Sequence, residues 1–115
     1  MPLPTFAVVD LETSGLSTRR HRMLQVGLVT VTADGTVVDT WSSYVKLRWP
    51  LQRVGPTDIH GITRRHLKDA PLLGDTLDEL GERLHGSIFT AHNAAFDAAF
   101  LARAARRRAS RRGGP

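Results

Sequence analysis

An apolar run near the start of this 115-residue chain ends in two carboxylates, and this feature restricts the possible folds most. Residues 6–12 read Phe-Ala-Val-Val-Asp-Leu-Glu, a pattern that predicts a β-strand. Because strand side chains alternate between two faces, Asp10 and Glu12 project from one face and Leu11 from the other. Two like charges at the end of an apolar strand are unfavourable unless something positive lies between them.

Composition restricts what that positive group can be. The chain contains no cysteine, which excludes disulfides and thiolate ligands, so any metal must bind oxygen or imidazole. The absence of cysteine also fits a reducing cytoplasm. No signal peptide is visible, and no window approaches the roughly 18 apolar residues of a membrane span. We therefore expect a single cytoplasmic globular domain with no membrane partner.

The net charge of +5 belongs to the C-terminal end of the chain. Residues 1–102 hold 10 basic and 11 acidic residues, whereas six arginines and no acid follow from Arg103 onward. We accordingly divide the chain into a partial domain, 1–102, and an arginine-rich tail, 103–115. The tail has three explanations: a solvated helix end, a segment with non-specific phosphate affinity, or the product of a shortened or shifted reading frame.

Hydrophobic periodicity predicts the order strand, strand, strand, helix, strand, helix. A hairpin-linked triplet followed by a right-handed crossover indicates a mixed α/β sheet with helices packed on it. The predicted elements are strands over 6–12, 23–32 and 37–47, short helical segments over 56–60 and 63–68, a helix over 76–84, a strand over 87–91 and a helix over 94–108.

Local signals mark three of the connections. Asp34-Gly35 predicts a tight hairpin between the second and third strands. Thr76 and Glu79 resemble a capping box at the start of the first long helix. Asn93 is placed to cap the last helix.

A third carboxylate, Asp97, lies in the first turn of the last predicted helix. Phe96 and Phe100 are four residues apart and form an apolar stripe, so Asp97 falls at the margin of the buried face. If the fourth strand pairs with the first, Asp97 comes near Asp10 and Glu12. Three carboxylates at one point favour Mg²⁺ or Mn²⁺. Two such ions about 4 Å apart can support hydrolysis of a phosphodiester.

Three segments in this order resemble a known family. VVDLETSG, DIHGITRRHL and AHNAAFDAAFL are similar to the first motif, the linking His-Gly-Ile segment and the second motif of DEDD-type 3′-5′ exonucleases. The likeness, over roughly residues 5–102, is to the proofreading (epsilon) subunits of bacterial DNA polymerase III. It implies a ribonuclease-H-like sheet and removal of nucleoside 5′-monophosphates from the 3′ end of single-stranded DNA or RNA. A DNA polymerase subunit is a further implied partner.

The resemblance also implies roles for individual residues. Asp10 would bridge two metals, Glu12 would hold the nucleophile-side metal, and Asp97 would act on the second, which makes these three the catalytic set. For His92 and Asn93, purely structural roles, with Asn93 as a cap, are the competing interpretation. The implied substrate-binding residues are Thr13, Ser14, Gly15, His60, His92, Asn93 and Phe96.

The third motif of the family is missing from this sequence. That motif is a histidine general base followed five residues later by a carboxylate, and no histidine, aspartate or glutamate follows Asp97. His92 to Asp97 has the right spacing but already serves as the second motif. The fifth strand and closing helix of the family are also absent, so we expect a truncated sheet. Loss of a general base costs about 10²–10⁴-fold in rate.

We therefore expect weak or no hydrolysis by this chain alone. The alternative is a non-catalytic nucleic-acid or polymerase-associated binding module that keeps the fold. Trp41, Tyr44 and Trp49 could stack on bases, although aromatics at such positions more often pack in the core or at an edge. The remaining histidines, which are predicted to be exposed in helices or loops, are His21, His66 and His85.

Overall fold

The computed structural model describes residues 3–48 and 53–111. Trp49, one of the three aromatics singled out above, lies outside the described residues. The elements are β1 (Thr5–Thr13), β2 (Met23–Thr32), β3 (Val37–Tyr44), α1 (Thr57–His60), α2 (Arg64–Leu67), α3 (Leu73–Leu84), β4 (Ile88–Thr90) and α4 (Ala94–Arg111).

The strands form one mixed sheet in the order β3-β2-β1-β4. β1 pairs antiparallel with β2, and β2 pairs antiparallel with β3. β4 runs parallel to β1, with Ala7 opposite Phe89. The predicted element order and the predicted pairing of the fourth strand with the first are both confirmed, and β4 forms an edge of the described sheet.

The core lies on the sheet face that α3 and α4 cover. Ala7, Val9 and Leu11 of β1 are buried, as strand alternation requires for one face. From the helices, Leu80 is 2% exposed and Phe100 is completely buried against this face. Asp10 and Glu12 consequently project from the opposite face of the sheet.

A second, smaller cluster holds the connection between β3 and α3. Leu24 at the start of β2 packs with Ile62 and Leu67, all of them buried. Tyr44 and Val54 pack against this cluster. The segment that contains α1 and α2 is therefore fixed against the end of the sheet where β1 and β3 finish.

α3 begins earlier than predicted, and the predicted capping box is wrong. The helix starts at Leu73, and Thr76 is an interior residue whose side chain is 1% exposed. Its hydroxyl donates a hydrogen bond to the Leu72 carbonyl at 3.3 Å. Glu79 instead accepts a hydrogen bond from Arg83 at 2.8 Å. Leu73 packs against the core, and this burial extends the helix by one turn.

β3 ends at Tyr44, three residues before its predicted end. The Val45 amide still donates to the Leu24 carbonyl, but the Lys46 amide donates to Pro71 at 2.8 Å. The chain therefore leaves the sheet after Val45. At the other end of β3 the predicted hairpin is confirmed, with Gly35 at φ +90°.

α4 passes through the predicted domain boundary at residue 102 without a break. Ala104 is 2% exposed in the core, and the Arg107 guanidinium donates to the Thr18 carbonyl at 2.6 Å. Arg108 forms a hydrogen-bonded ion pair with Asp78 of α3. The first nine residues of the arginine-rich segment are thus part of a helix that is attached to the domain. No helix in the described part of the chain combines the length and apolar character that a bilayer span requires.

Replacement of Phe100 by alanine tests this packing. Because Phe100 is completely buried between α4 and the sheet, Phe100→Ala should lower the free energy of unfolding by about 3–5 kcal/mol. Leu16→Ala is the matched control, since Leu16 is 83% exposed and should change stability by less than about 0.5 kcal/mol. Urea denaturation measures both, and equal effects would contradict the assignment of the core.

Candidate active site

The parallel pairing of β4 brings the start of α4 to the end of β1. Asp97, in the first turn of α4, is 5% exposed, whereas Asp10 is exposed on β1. Burial raises the pKa of Asp97, the negative charge of Asp10 raises it further, and His92 lowers it. Asp10 and Asp97 are therefore close enough for their charges to repel.

Glu12 shares a strand face with Asp10 but does not complete a three-carboxylate cluster. It is half-buried and lies opposite Gln25 of β2. Across residues 3–48 and 53–111, no three histidine, aspartate or glutamate side chains lie together as a metal site would require. The structure thus brings together the pair Asp10 and Asp97, and the role of Glu12 as a metal ligand stays a prediction.

The turn after β1 is held closed by its own hydrogen bonds. The Thr13 hydroxyl donates to the Gly15 carbonyl at 2.7 Å. Ser14 is 5% exposed, and its hydroxyl accepts a hydrogen bond from the Arg22 amide at 3.0 Å. The backbone of the turn is consequently fixed directly beyond Glu12.

His21 packs against this turn, which the sequence interpretation missed. A Cβ atom on Gly15 would lie 2.5 Å from the His21 ring, so only glycine allows this approach. The ring Nδ1 of His21 accepts a hydrogen bond from the Ser17 amide at 3.0 Å. His21 is half-buried rather than exposed, and the glycine after the acidic strand was the available signal.

The chain just before α1 lies directly against the turn. Gly55 has φ +78°, and a Cβ there would meet the Ser14 carbonyl oxygen at 2.1 Å. His60 Nδ1 accepts a hydrogen bond from the Ile62 amide at 3.0 Å, which leaves Nε2–H to donate to the Val54 carbonyl at 2.7 Å. Both ring nitrogens of His60 thus shape the linking segment, and its contact with a nucleotide stays a prediction.

The remaining candidates surround the start of α4. The Asn93 carbonyl accepts the first helical hydrogen bond from the Asp97 amide at 3.0 Å. Phe96 is half-buried, with its ring centroid 4.8 Å from that of Phe100. His92 and Asn93 are exposed beside Asp97. Phe96 therefore packs, whereas the other two side chains are accessible from the site.

The donors at this site fit a hard divalent cation. Mg²⁺ in proteins is commonly bound by one or two carboxylates together with substrate phosphates and water. Asp10 and Asp97 supply two carboxylates, and burial together with the charge of Asp10 raises the pKa of Asp97 despite the opposing effect of His92. A cation between the two carboxylates would remove this repulsion.

Comparison with known proteins decides the family. The RNase T family model, described as exonuclease, matches residues 7–111. The chain belongs to this exonuclease family. The predicted resemblance to 3′-5′ exonucleases is thereby confirmed, and the match extends through the whole described part of α4.

The chain is also similar to parts of two curated DNA polymerases. It is 34% identical over 96 residues to the PolC-type DNA polymerase III of Caldanaerobacter subterraneus subsp. tengcongensis. It is 35% identical over 97 residues to that of Thermotoga petrophila. Each alignment covers 84% of this chain and 7% of the polymerase. The chain therefore spans only a small part of these relatives.

Solved exonuclease structures share the fold. Escherichia coli exonuclease I in complex with a dT13 oligonucleotide superposes with a TM-score of 0.74 and 18% identity, over 85% of this chain and 22% of that one. A product-bound exonuclease I gives a TM-score of 0.77 and 19% identity, over 87% and 24%. The predicted ribonuclease-H-like mixed α/β fold is confirmed.

Replacement of Asp97 tests whether its negative charge destabilises the folded state. In the folded state its pKa is raised, so stability falls as pH rises from the unfolded-state value through the folded-state value. Asp97→Asn should therefore increase the free energy of unfolding at pH 7 in metal-free buffer and flatten this pH dependence.

Thermal unfolding between pH 4 and pH 8 measures this effect. Asp69→Asn is the matched control, because Asp69 is exposed. A loss of stability in metal-free Asp97→Asn, or an equal gain in both variants, would contradict the assignment.

Proposed function

We propose that this chain is a metal-dependent 3′-5′ exonuclease domain that acts on terminal phosphodiesters of single-stranded DNA or RNA and releases nucleoside 5′-monophosphates. The observation that supports the proposal is the buried Asp97 carboxylate beside Asp10 in a member of an exonuclease family. A buried acid next to a second acid is unfavourable in isolation and becomes favourable when a cation binds.

In this proposal Asp10 and Asp97 would hold Mg²⁺ or Mn²⁺. Glu12, on the same strand face as Asp10, is proposed to reach a second ion. Bound divalent cations activate water and stabilise the leaving oxygen of a phosphodiester. The chain itself contributes the position of the carboxylates, which β1 and α4 fix.

The substrate-binding surface is proposed to follow the turn after β1. Thr13, Ser14 and Gly15 form a hydrogen-bonded turn beyond Glu12. His60 binds the backbone of the segment that packs on this turn. The exposed His92 and Asn93, with Phe96 behind them, are proposed to complete the pocket from the α4 side. The dT13 complex of exonuclease I supports single-stranded DNA as the substrate class.

Two further parts of the proposal concern the setting of this activity. The PolC-type DNA polymerases among the relatives support a role in replication with a polymerase partner, where proofreading would be the task. The absence of cysteine supports a cytoplasmic location.

A second candidate function follows from the composition of the segment after Asp97. Residues 98–115 contain no histidine, aspartate or glutamate that could act as a general base. This observation favours a non-catalytic, nucleic-acid or polymerase-associated binding module that retains the fold and the metal site.

Manganese binding tests the site itself. Calorimetry should detect Mn²⁺ binding to the wild-type chain, and a Mn²⁺ concentration 100 times Kd should add about 2.7 kcal/mol to the free energy of unfolding. Asp10→Asn and Asp97→Asn should lose this effect, whereas Asp69→Asn should retain it. Equal stabilisation of all four proteins would contradict the assignment of the two carboxylates.

Release of nucleotides separates the two candidate functions. A single-stranded oligonucleotide labelled at its 3′ end is incubated with the chain and Mn²⁺, with Asp10→Asn as the control. Slow release of labelled nucleoside monophosphate that Asp10→Asn abolishes supports the exonuclease. Binding without any release identifies the binding module, and release that Asp10→Asn does not change rules out the proposed site.

A further inference from the structure

A basic cleft of about 630 Å³ lies beside α2, away from the carboxylates. We define it by its four cations, Lys46, Arg64, Arg65 and Lys68, and its single acid, Asp69. The arginines and lysines are exposed. This local excess of positive charge contrasts with residues 1–102 as a whole, where acids outnumber bases by one.

The backbone that carries these cations is anchored. Leu67, which lines the floor of the basic cleft, is 3% exposed and packs with the buried Leu24 and Ile62. The Lys46 amide donates a hydrogen bond to the Pro71 carbonyl at 2.8 Å. The four cationic side chains therefore extend from a backbone that is held in place by the second cluster and by this hydrogen bond.

Strand register places the basic cleft at the same end of the sheet as the carboxylates, where β1 and β3 finish. Glu12 of β1 lies opposite Gln25 of β2, and Gln25 lies opposite Tyr44 of β3. Neighbouring strands are about 4.8 Å apart, so Tyr44 lies roughly 10 Å from Glu12 across the sheet. Lys46 follows Tyr44 by two residues, and the basic cleft begins there.

An aromatic pair stands between the two sites. The ring of Tyr44 stacks on that of His66, with centroids 5.5 Å apart and an interplanar angle of 20°. Nδ1 of His66 accepts a hydrogen bond from the Thr63 amide at 3.0 Å, which fixes the exposed ring. The His66 ring is exposed, whereas Tyr44 is half-buried and supports it from the second cluster. An exposed flat ring beside cations is a surface on which single-stranded bases can stack.

We propose that the basic cleft binds the phosphates of a single-stranded nucleic acid on the 5′ side of the terminal nucleotide, with the Tyr44–His66 pair along the path. The proposal rests on the proposed function, because the 3′ terminus is taken to lie at Asp10 and Asp97. Cations bind phosphates largely by releasing counterions, and for single strands each contact contributes about −0.7 to the slope of log K against log[salt].

Fluorescence anisotropy with 5′-labelled dT10 at several salt concentrations tests this proposal. Arg65→Gln/Lys68→Gln removes two cations from the basic cleft and should lower affinity about tenfold at low salt while reducing the slope by about 1.4. Arg106→Gln, on the exposed side of α4, is the control for general charge and should change neither quantity. The charge-preserving Arg65→Lys/Lys68→Arg should retain most of the affinity.

Strand length separates this proposal from the proposed function. The dinucleotide dT2 reaches only the carboxylate site, so its affinity should be unchanged in Arg65→Gln/Lys68→Gln. If only the proposed function is wrong, dT10 affinity will be the same with and without Mn²⁺ and in Asp10→Asn. It will still fall in Arg65→Gln/Lys68→Gln. Wild-type dT10 affinity and salt slope in the double variant would overturn the proposal. Equal affinity of the cleft for a ten-residue glutamate peptide would overturn it in favour of an acidic protein partner.

Discussion

The parallel pairing of β1 with β4 determines where the acidic residues of the site lie. Only Phe6 to Val8 of β1 pair with β4, and a hydrogen bond of 2.6 Å between the Thr5 and Ser87 hydroxyls extends this contact. The chain after β4 then returns as α4 across the buried face of β1. Its first turn therefore meets the end of β1, and Asp97 becomes buried beside Asp10.

This arrangement places an unfavourable charge pair where the fold is otherwise well packed. Phe100, one helical turn after Asp97, is completely buried and fixes the start of α4 against the sheet. The helix cannot turn its carboxylate into solvent without losing that packing. The same packing that stabilises the fold thus maintains the repulsion that a cation would relieve, which connects the core directly to the proposed metal site. The basic cleft, held by the second cluster around Leu67, would extend the site along the strand path.

The features that could be predicted from the sequence are those that local periodicity determines. β2 has its predicted bounds, Asp34-Gly35 forms the predicted turn, and the order of elements was sufficient to place Asp97 near Asp10. The errors arose where tertiary contacts override local patterns. Thr76 has the local signature of a cap, but the burial of Leu73 extends the helix beyond it. The contact of His21 with Gly15 depends on how a loop closes, which no periodicity encodes.

The titration of Asp97 tests the central claim most directly. Carboxyl ¹³C chemical shifts of Asp97 are followed against pH in metal-free buffer, in the wild-type chain and in Asp10→Asn. The account predicts a lower pKa of Asp97 in Asp10→Asn that still exceeds the ordinary aspartate value, because burial is the larger cause of the shift and persists. An identical pKa of Asp97 in the two proteins would contradict the claim that these carboxylates share one site.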